Sequence, residues 1–310
     1  MAPTIDGVNL GTTIGAFLVG VVISAALYGI TVVQTYIFFR QSHDDTRLLR
    51  YSVFTLCVLD TLHQVLLTVG LWTYAISDYG NPQAVSIPDW TLIAALVVSA
   101  LMAVIIKLHF CSRVWHLSGR NKMLIFPMVF FTFSEFVCSN VFAGLASTIN
   151  DFDDFNKITP NYYVGAISGM IADLLIATSQ VVMLWTRRTG FKKTDNVLST
   201  LMVYSINTGL LTSAVAFVAL VSFATMKDNL IYVAVYHEVS KLLLNAFLAT
   251  YNARGGLRNQ CQNSGDLVTI PLSTIPVDSS TQRSHFDRKI EISVDTSTNI
   301  KVDTPMSKKE

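Results

Sequence analysis

The chain has 310 residues, a net charge of +1, and 51% hydrophobic against 14% charged residues. Soluble domains carry about 25% charged residues, so this composition excludes an ordinary soluble domain and indicates a chain that lies in an apolar solvent. No block of basic residues points to nucleic acid, and the four cysteines have no C-x-x-C spacing that would indicate a metal or redox site.

Seven stretches are long and apolar enough to cross a bilayer as helices. A spanning helix needs about 20 apolar residues, because the hydrocarbon core is about 30 Å thick and a helix rises about 1.5 Å per residue. The predicted spans are 14–39, 50–76, 90–115, 123–147, 161–186, 197–224 and 229–253. The sequence therefore predicts an all-α fold, a seven-helix transmembrane bundle over residues 14–258.

Basic residues are divided unevenly between the loops at the two ends of this predicted bundle. One end carries twelve: Arg40, Arg47, Arg50, Arg113, Arg120, Lys122, Arg187, Arg188, Lys192, Lys193, Arg254 and Arg258. The other end carries two, Lys157 and Lys227. Cytoplasmic loops are enriched in Lys and Arg. We therefore expect a short extracellular N-terminus (1–13) and a cytosolic C-terminus, in the plasma membrane or an endomembrane.

Residues 259–310 are rich in Ser, Thr and charged residues and show no apolar period. This composition predicts a disordered cytosolic tail. Within it, Thr304 precedes Pro305 and is a candidate for proline-directed phosphorylation. Cys261 follows the last span and is a candidate for palmitoylation. A solvated tail without modification fits the same residues.

Several short strings in the spans and loops occur in a characteristic order and spacing. They are Leu27-Tyr28-Gly29, Gln34-Thr35-Tyr36, Asp60-Thr61-Leu62-His63, Tyr79-Gly80-Asn81-Pro82, Arg113-Val114-Trp115, Arg188-Thr189-Gly190-Phe191, Asn207-Thr208-Gly209-Leu210-Leu211-Thr212 and Asn245-Ala246-Phe247-Leu248-Ala249-Thr250. Together they resemble a family of seven-span proteins from mushroom-forming fungi, the domain of unknown function 6534. The resemblance covers roughly residues 14–258. It implies a fungal multi-span membrane protein and supplies no activity.

Ionisable residues lie inside the predicted spans, where a charged side chain costs roughly 2.5–3.5 kcal/mol to insert. They are Asp60, His63, Glu135, Asp173, His237, Glu238 and Lys241. Asn207 and Asn245, also inside spans, are candidates for hydrogen bonds between helices. These nine residues form the candidate intramembrane polar network.

Lys241 falls near the middle of span seven, so we expect it to meet a carboxylate. Glu238, one turn away on the same helix, is the simplest partner. Asp60 or Asp173 would instead tie two helices together across the bundle.

Two further features concern helix packing. Lys107 and His109 lie toward the cytosolic end of span three, where they are expected to extend outward to the interface. The Gly165-x-x-x-Gly169 spacing predicts a close approach of another helix to span five.

Three interpretations of the network stay open. It is a polar lock that fixes helix packing, a site for a ligand or ion in the bundle interior, or a proton relay. Sequence spacing does not choose among them, because it leaves open which helices face each other.

Seven spans, an outside N-terminus and a Ser/Thr-rich tail are typical of receptors that couple to G proteins. The motifs of the best-known class are missing: no acidic residue precedes Arg113, and Asn245 to Tyr251 lacks the proline of Asn-Pro-x-x-Tyr. The missing motifs argue against that class. The topology still makes a receptor-like role that senses an unknown small ligand the leading hypothesis, and a transporter of a small molecule or ion is the alternative.

Two minor hypotheses concern enzymes and pigments. Lys241 could carry retinal with Asp60 or Asp173 as counter-ion, and His63, His109 and His237 could ligate zinc in an intramembrane hydrolase. His109 and His237 differ in depth by more than about 10 Å, and no H-x-x-x-H pair is present. We therefore expect no enzyme activity, metal or cofactor.

The expected partner is the lipid bilayer. Basic residues beside spans five and six are candidates for contact with anionic lipid. They are Arg187, Arg188, Lys192 and Lys193. A purely topological role of these residues is the favoured alternative.

Overall fold

Seven long helices make up most of the structure, a computed structural model. It describes residues 4–5, 8–9, 11–42, 45–79, 89–148, 155–188, 192–225 and 230–263, and it describes side chains at 11–42, 45–79, 89–148, 159–188, 198–225 and 230–253. The helices are α1 (Ala16–Gln41), α2 (Arg47–Trp72), α3 (Trp90–Leu117), α4 (Lys122–Ala146), α5 (Phe155–Thr186), α6 (Lys192–Thr225) and α7 (Ile231–Asn263). One π-helical turn, Gly11–Gly15, precedes α1, and another, Thr73–Ser77, follows α2. Before α1, Thr4–Ile5 pairs antiparallel with Val8–Asn9.

Local signals explain where two of the helices begin. Asp89 caps α3, and its carboxylate accepts hydrogen bonds from the backbone N–H and the hydroxyl of Thr91. Asn121 caps α4 by accepting from the backbone N–H of Met123 at 3.1 Å. Between these helices, Gly119 takes the left-handed conformation (φ 66°), which ends α3 and turns the chain.

The helices form a ring in chain order. Each helix packs on the next, α7 closes the ring against α1, and α3 also contacts α5 and α7. The largest apolar core lies mainly between α1, α2, α3 and α7, around residues such as Phe38, Leu56, Ile106 and Phe247, and also includes one residue each of α4 and α5. Because α3 touches helices on both sides of the ring, its Ser99 and Lys107 are placed in the interior.

The surface and the interior have the polarity expected of a protein in lipid. On α1, Val22 is 62% exposed whereas Ser24 is fully buried. On α2, Leu62 is 45% exposed whereas the adjacent His63 is fully buried. Large apolar side chains thus cover the outside of the bundle while polar side chains turn inward, as in membrane proteins.

The all-helical prediction is confirmed, and so are helices apolar enough to cross a membrane. By length and composition six qualify among the described residues: Gly11–Gln41, Arg47–Ser77, Trp90–Leu117, Lys122–Ala146, Thr159–Thr186 and Leu198–Thr225. The seventh helix, α7, is not among them, since His237, Glu238, Lys241 and Asn245 lower its hydropathy. A seventh crossing stays a prediction.

Three helix ends differ from the predicted ones by five residues or more. α5 begins at Phe155 rather than 161 and includes Pro160, which is tolerated because a proline in the first turns removes few backbone hydrogen bonds. α6 begins at Lys192 rather than 197. α7 continues to Asn263, ten residues past the predicted end at 253, and so includes the first five residues of the predicted tail, 259–263. The remainder of the predicted tail, 264–310, with Thr304, lies outside the described residues.

Candidate functional site

Lys241 of α7 and Asp60 of α2 form an ion pair in the interior. The Lys241 Nζ lies 2.7 Å from the Asp60 Oδ1, and both side chains are fully buried. The same Nζ donates to the Asp60 backbone carbonyl at 3.3 Å and lies 5.2 Å from the centre of the Tyr28 ring on α1. The sequence analysis named Glu238 as the simplest partner of Lys241, with Asp60 and Asp173 as alternatives, and the structure pairs Lys241 with Asp60 across the bundle.

A second contact joins the same two helices one turn away. The His63 Nε2 and the His237 Nδ1 lie 3.2 Å apart, and both residues are buried. His63 lies three residues after Asp60, and His237 lies four before Lys241, so each helix presents its two residues on one face. We call these four residues the α2–α7 ladder: an ion pair and a histidine pair as successive rungs.

Glu238 and Asn245 lie beside the ladder on α7. Both carboxylate oxygens of Glu238 are buried, and neither accepts a hydrogen bond from a described residue. The Asn245 side chain donates to the Leu27 carbonyl of α1 at 3.1 Å and to the Lys241 carbonyl at 3.0 Å. Asn245 thus binds α7 to α1, which is the interhelical role expected for it.

Lys107 of α3 forms a second charge cluster on the other side of the bundle. Its Nζ lies 2.7 Å from the Glu135 Oε2 of α4 and 2.8 Å from the Asp173 Oδ1 of α5. It also donates to the Gly169 carbonyl at 3.3 Å. We call Lys107, Glu135 and Asp173 the lysine triad, which links three consecutive helices.

The expectation that Lys107 extends outward is wrong. Lys107 is only 2% exposed, because two carboxylates and a carbonyl hold its ammonium group in the interior. The expectation that Asp173 could pair with Lys241 is also wrong, since Asp173 belongs to the triad. His109, two residues on, is partly buried, with its ring 5.7 Å from the Phe247 ring.

Glycines on α5 make room for the triad. A Cβ on Gly169 would lie 2.7 Å from the Glu135 Oε1, too close for the carboxylate to stay in place. A Cβ on Gly165 would lie 3.2 Å from the Cys138 Cβ of α4. The two glycines therefore let α4 approach α5 closely, as their spacing predicted.

A cavity of about 60 Å³ lies between α3, α4, α5 and α7, with Ala216 of α6 also in its wall. One water needs about 10–15 Å³ of such space, so the cavity is large enough for several waters or a small ligand. All three triad residues line it, and its wall includes Ser99, Ser139, Asn161, Tyr162 and Tyr236. We call it the inner cavity.

A second space adjoins the inner cavity near the N-terminal ends of α3 and α7. This aromatic chamber, of about 70 Å³, shares Leu96, Phe142, Tyr162 and Tyr236 with the inner cavity and also borders His237. Aromatic rings form much of its wall, with the Phe142 and Tyr162 ring centres 5.5 Å apart. Through His237, the chamber touches the α2–α7 ladder.

A smaller space of about 20 Å³ lies on the other side of Asp173. This polar crevice is lined by Asp173, Gln180, Ser205 and Thr212, among others. The Ser205 hydroxyl donates to the Gln180 Oε1 at 2.7 Å and so joins α5 to α6. Gln180 and Ser205 were missed by the sequence analysis, since neither is ionisable, although both lie inside predicted spans.

One residue of the predicted network lies elsewhere. Asn207 is exposed on the outside of α6, while Thr208 and Thr212 are buried and return their hydroxyls to the helix backbone at 2.6 Å and 2.9 Å. Asn207 therefore takes no part in the interior network.

The basic residues beside α5 and α6 are described only in part. The Arg187 Nη2 donates to the Leu117 carbonyl at 2.9 Å, and the Arg188 guanidinium lies 4.5 Å from the centre of the Trp185 ring. The side chains of Lys192, Lys193 and Cys261 lie outside the described residues. Within the described residues, no three His, Cys, Asp or Glu side chains are grouped as metal ligands would be.

Part of the chain matches a known family. Residues 169–256 match the profile of a family described as "Family of unknown function (DUF6534)", which confirms over these residues the resemblance recognised from the motifs. No curated protein and no solved structure matches the chain. The fungal origin implied by the resemblance stays a prediction.

Proposed function

We propose that this protein, whose residues 169–256 belong to the DUF6534 family, is a receptor-like membrane protein that senses a small ligand in the inner cavity. The observation that carries the proposal is a cavity with a charged floor inside a bundle of apolar helices. Charged groups in the hydrocarbon region are costly and mark functional sites by default. A cavity lined by apolar walls and a few convergent polar groups is also the usual form of a small-molecule site.

The proposed topology has seven crossings, with the N-terminus outside and the C-terminus in the cytosol. The uneven distribution of basic residues supports this direction. The position of α7 supports its crossing: it packs against α1, α3 and α6, and its polar residues His237, Lys241 and Asn245 lie in the interior. A helix surrounded by other helices meets little lipid, so it needs less apolar surface than its neighbours.

The proposed response to a ligand passes through the α2–α7 ladder. A ligand in the inner cavity would contact Tyr236, whose ring centre lies 5.9 Å from that of His237, and His237 meets His63 of α2. A ligand that shifts His237 would stabilise one of two relative positions of α2 and α7. Such a difference in affinity between two arrangements is what a sensing protein needs.

Cysteine accessibility tests whether the inner cavity is open to water. The experiment uses full-length protein in proteoliposomes, with all four native cysteines changed to serine. Ala166→Cys places a thiol on the cavity wall, and Ile167→Cys places one at the same depth on a side chain that is 49% exposed on the outside of the bundle. A water-soluble methanethiosulfonate reagent reacts only where water reaches the thiol.

We expect Ala166→Cys to be modified from the side of the N-terminus and Ile167→Cys to stay unmodified in lipid. Modification in detergent after unfolding is the control that both thiols are reactive. If Ala166→Cys is as inert as Ile167→Cys in the folded protein, the inner cavity is sealed and the proposed function is rejected.

A transporter is the second candidate, favoured by the series of spaces along the bundle. The aromatic chamber adjoins the inner cavity, and Asp173 borders both the inner cavity and the polar crevice. A transporter predicts that the Ala166→Cys thiol is reached by reagent added on either side. It also predicts accumulation of solute in the proteoliposomes, whereas a receptor binds without accumulation.

A further inference from the structure

We propose that the inner cavity takes a small organic ammonium compound, with the Glu135 carboxylate as its counter-charge and a polar group at its far end near Tyr162. This rests on the proposed function, since it names the ligand of the same cavity. Three features of the cavity carry it: the balance of charge in the lysine triad, the saturation of Lys107, and the Tyr162 hydroxyl.

The lysine triad combines one cation with two carboxylates. When all three groups are ionised, the floor of the cavity carries one net negative charge. The two carboxylates differ in exposure, since the Asp173 side chain is 7% exposed and that of Glu135 is 22% exposed. Both carboxylates line the inner cavity, and Glu135, as the more exposed of the two, is the one that we expect a ligand to meet. A monocation there neutralises the site in a medium of low dielectric constant.

Lys107 is not free to bind an anion. Its ammonium has three donors, and it has three acceptors within reach: Glu135, Asp173 and the Gly169 carbonyl. An anionic ligand would have to break one of these contacts and would face the excess negative charge. A cationic ligand leaves all three contacts in place and meets the Glu135 carboxylate from the cavity side.

The Tyr162 hydroxyl is an independent observation at the other end of the cavity. Tyr162 is 7% exposed and lines both the inner cavity and the aromatic chamber, and its hydroxyl has no hydrogen-bond partner among the described residues. A buried polar group normally has a partner. A ligand that reaches it would supply one.

The two ends of the cavity set the length of the ligand. Gly169, which touches Glu135, lies seven residues after Tyr162 on α5, and seven residues correspond to about 10 Å of helix. A linear compound with an ammonium at one end and a hydroxyl at the other, such as 6-amino-1-hexanol, matches this span. Its neutral analogue, 1,6-hexanediol, differs only in the group that carries the charge.

Binding of these two probes to the purified full-length protein in detergent micelles tests the inference, by calorimetry and by the shift in melting temperature. We expect 6-amino-1-hexanol to bind and to raise the melting temperature, and 1,6-hexanediol to do neither. Glu135→Gln should weaken binding of the amine by about tenfold or more, because a charged hydrogen bond is lost. Tyr162→Phe should weaken it by about fivefold, because one neutral hydrogen bond is lost.

Matched variants keep the test independent of folding. Glu238→Gln removes another buried carboxylate, outside the described cavities, and should leave binding unchanged. Tyr163→Phe is the control for Tyr162→Phe. The melting temperature without ligand shows whether each variant is folded. Loss of binding in Glu135→Gln with retention in Glu238→Gln supports the inference.

Three results would overturn the inference. Equal binding of the diol would show that charge does not matter, while leaving a ligand cavity and therefore the proposed function in place. Sodium or potassium could instead stabilise the protein at constant ionic strength, and Glu135→Gln could abolish that effect. This result would assign the inner cavity to an inorganic cation. Failure of both probes to bind, with Ala166→Cys open to water, would reject the ammonium ligand but not the proposed function.

Discussion

The α2–α7 ladder and the lysine triad use the same residue types and reach opposite arrangements. In the ladder, Lys241 meets Asp60 and both side chains are fully buried. In the triad, Lys107 meets two carboxylates, and Glu135 remains partly exposed beside a cavity. The ion pair of the ladder has the properties of a lock between two helices, whereas the triad borders a space for a ligand. Each lysine has two carboxylates near it, since Glu238 lies beside the ladder, so what separates a lock from a site is the neighbouring space and not the presence of buried charges.

The largest expected effect is that of Lys241→Met. The variant leaves Asp60 buried without its cation, and removal of one partner from a buried ion pair costs about 3–5 kcal/mol. Lys107→Met should cost less, because water in the inner cavity can solvate the carboxylates that remain. The measurement is the free energy of unfolding, from SDS titration in mixed micelles.

The double variant Asp60→Asn/Lys241→Met is the control for Lys241→Met. It removes both charges and should recover most of the lost stability. If Lys107→Met destabilises the protein as much as or more than Lys241→Met, the distinction between a sealed ladder and a hydrated triad fails.

The next largest effect is expected for Gly169→Ala, which tests the packing of the triad. The added methyl group would lie 2.7 Å from the Glu135 Oε1, so the carboxylate must move away from Lys107. We expect a loss of about 1–3 kcal/mol, as for overpacking in a core. Gly29→Ala on α1 is the matched control, since its methyl group would have no neighbour within 4 Å, and it should cause no loss. Equal behaviour of the two variants would contradict the close α4–α5 contact at the triad.

His63→Phe has a smaller expected effect and tests the upper rung of the ladder. It removes the contact between His63 and His237, and side-chain hydrogen bonds between membrane helices are worth about 0.6 kcal/mol on average. A double-mutant cycle with His237→Phe isolates this energy from other effects. A coupling energy indistinguishable from zero would show that the two histidines do not act as a rung.

The smallest expected effect is that of Asn207→Leu. Asn207 is exposed on the outside of α6, so an apolar side chain there should leave stability unchanged or raise it slightly in lipid. Asn245→Leu is the comparison, since it removes two hydrogen bonds, one of which joins α7 to α1. Greater sensitivity at position 207 than at 245 would contradict the assignment of inward and outward faces on α6 and α7.

Much of the architecture follows from properties that single segments carry. The charge-free run of α1 and the apolar stretches of α2 to α6 are long enough to predict membrane helices, because hydrocarbon solvates only apolar surfaces. The Gly165–Gly169 spacing predicted a close contact because small residues permit it on any partner. The seventh helix was predicted as a helix, although its polar residues keep it outside the composition criterion for a span.

The candidate site could be predicted only in part. The sequence shows that Asp60, Glu135, Asp173 and Lys241 lie deep within spans, because depth is a count of residues along one helix. It does not show that Lys107 is held inside, since that depends on carboxylates that α4 and α5 bring to it. Asn207 was misassigned for the same reason: a mid-span position indicates depth, not whether the side chain faces lipid or protein.

The sequence by itself determined that the helices lie in an apolar environment, how many long helices there are, and how far along each helix its charged residues lie. Only the tertiary structure decided which charge meets which: Asp60 with Lys241, and Glu135 and Asp173 with Lys107. The physical reason is that apolar length and helix rise act within a segment, whereas pairing depends on the rotation of each helix and the order of helices in the ring. The same packing leaves a cavity beside the lysine triad and buries the Lys241–Asp60 pair of the ladder completely.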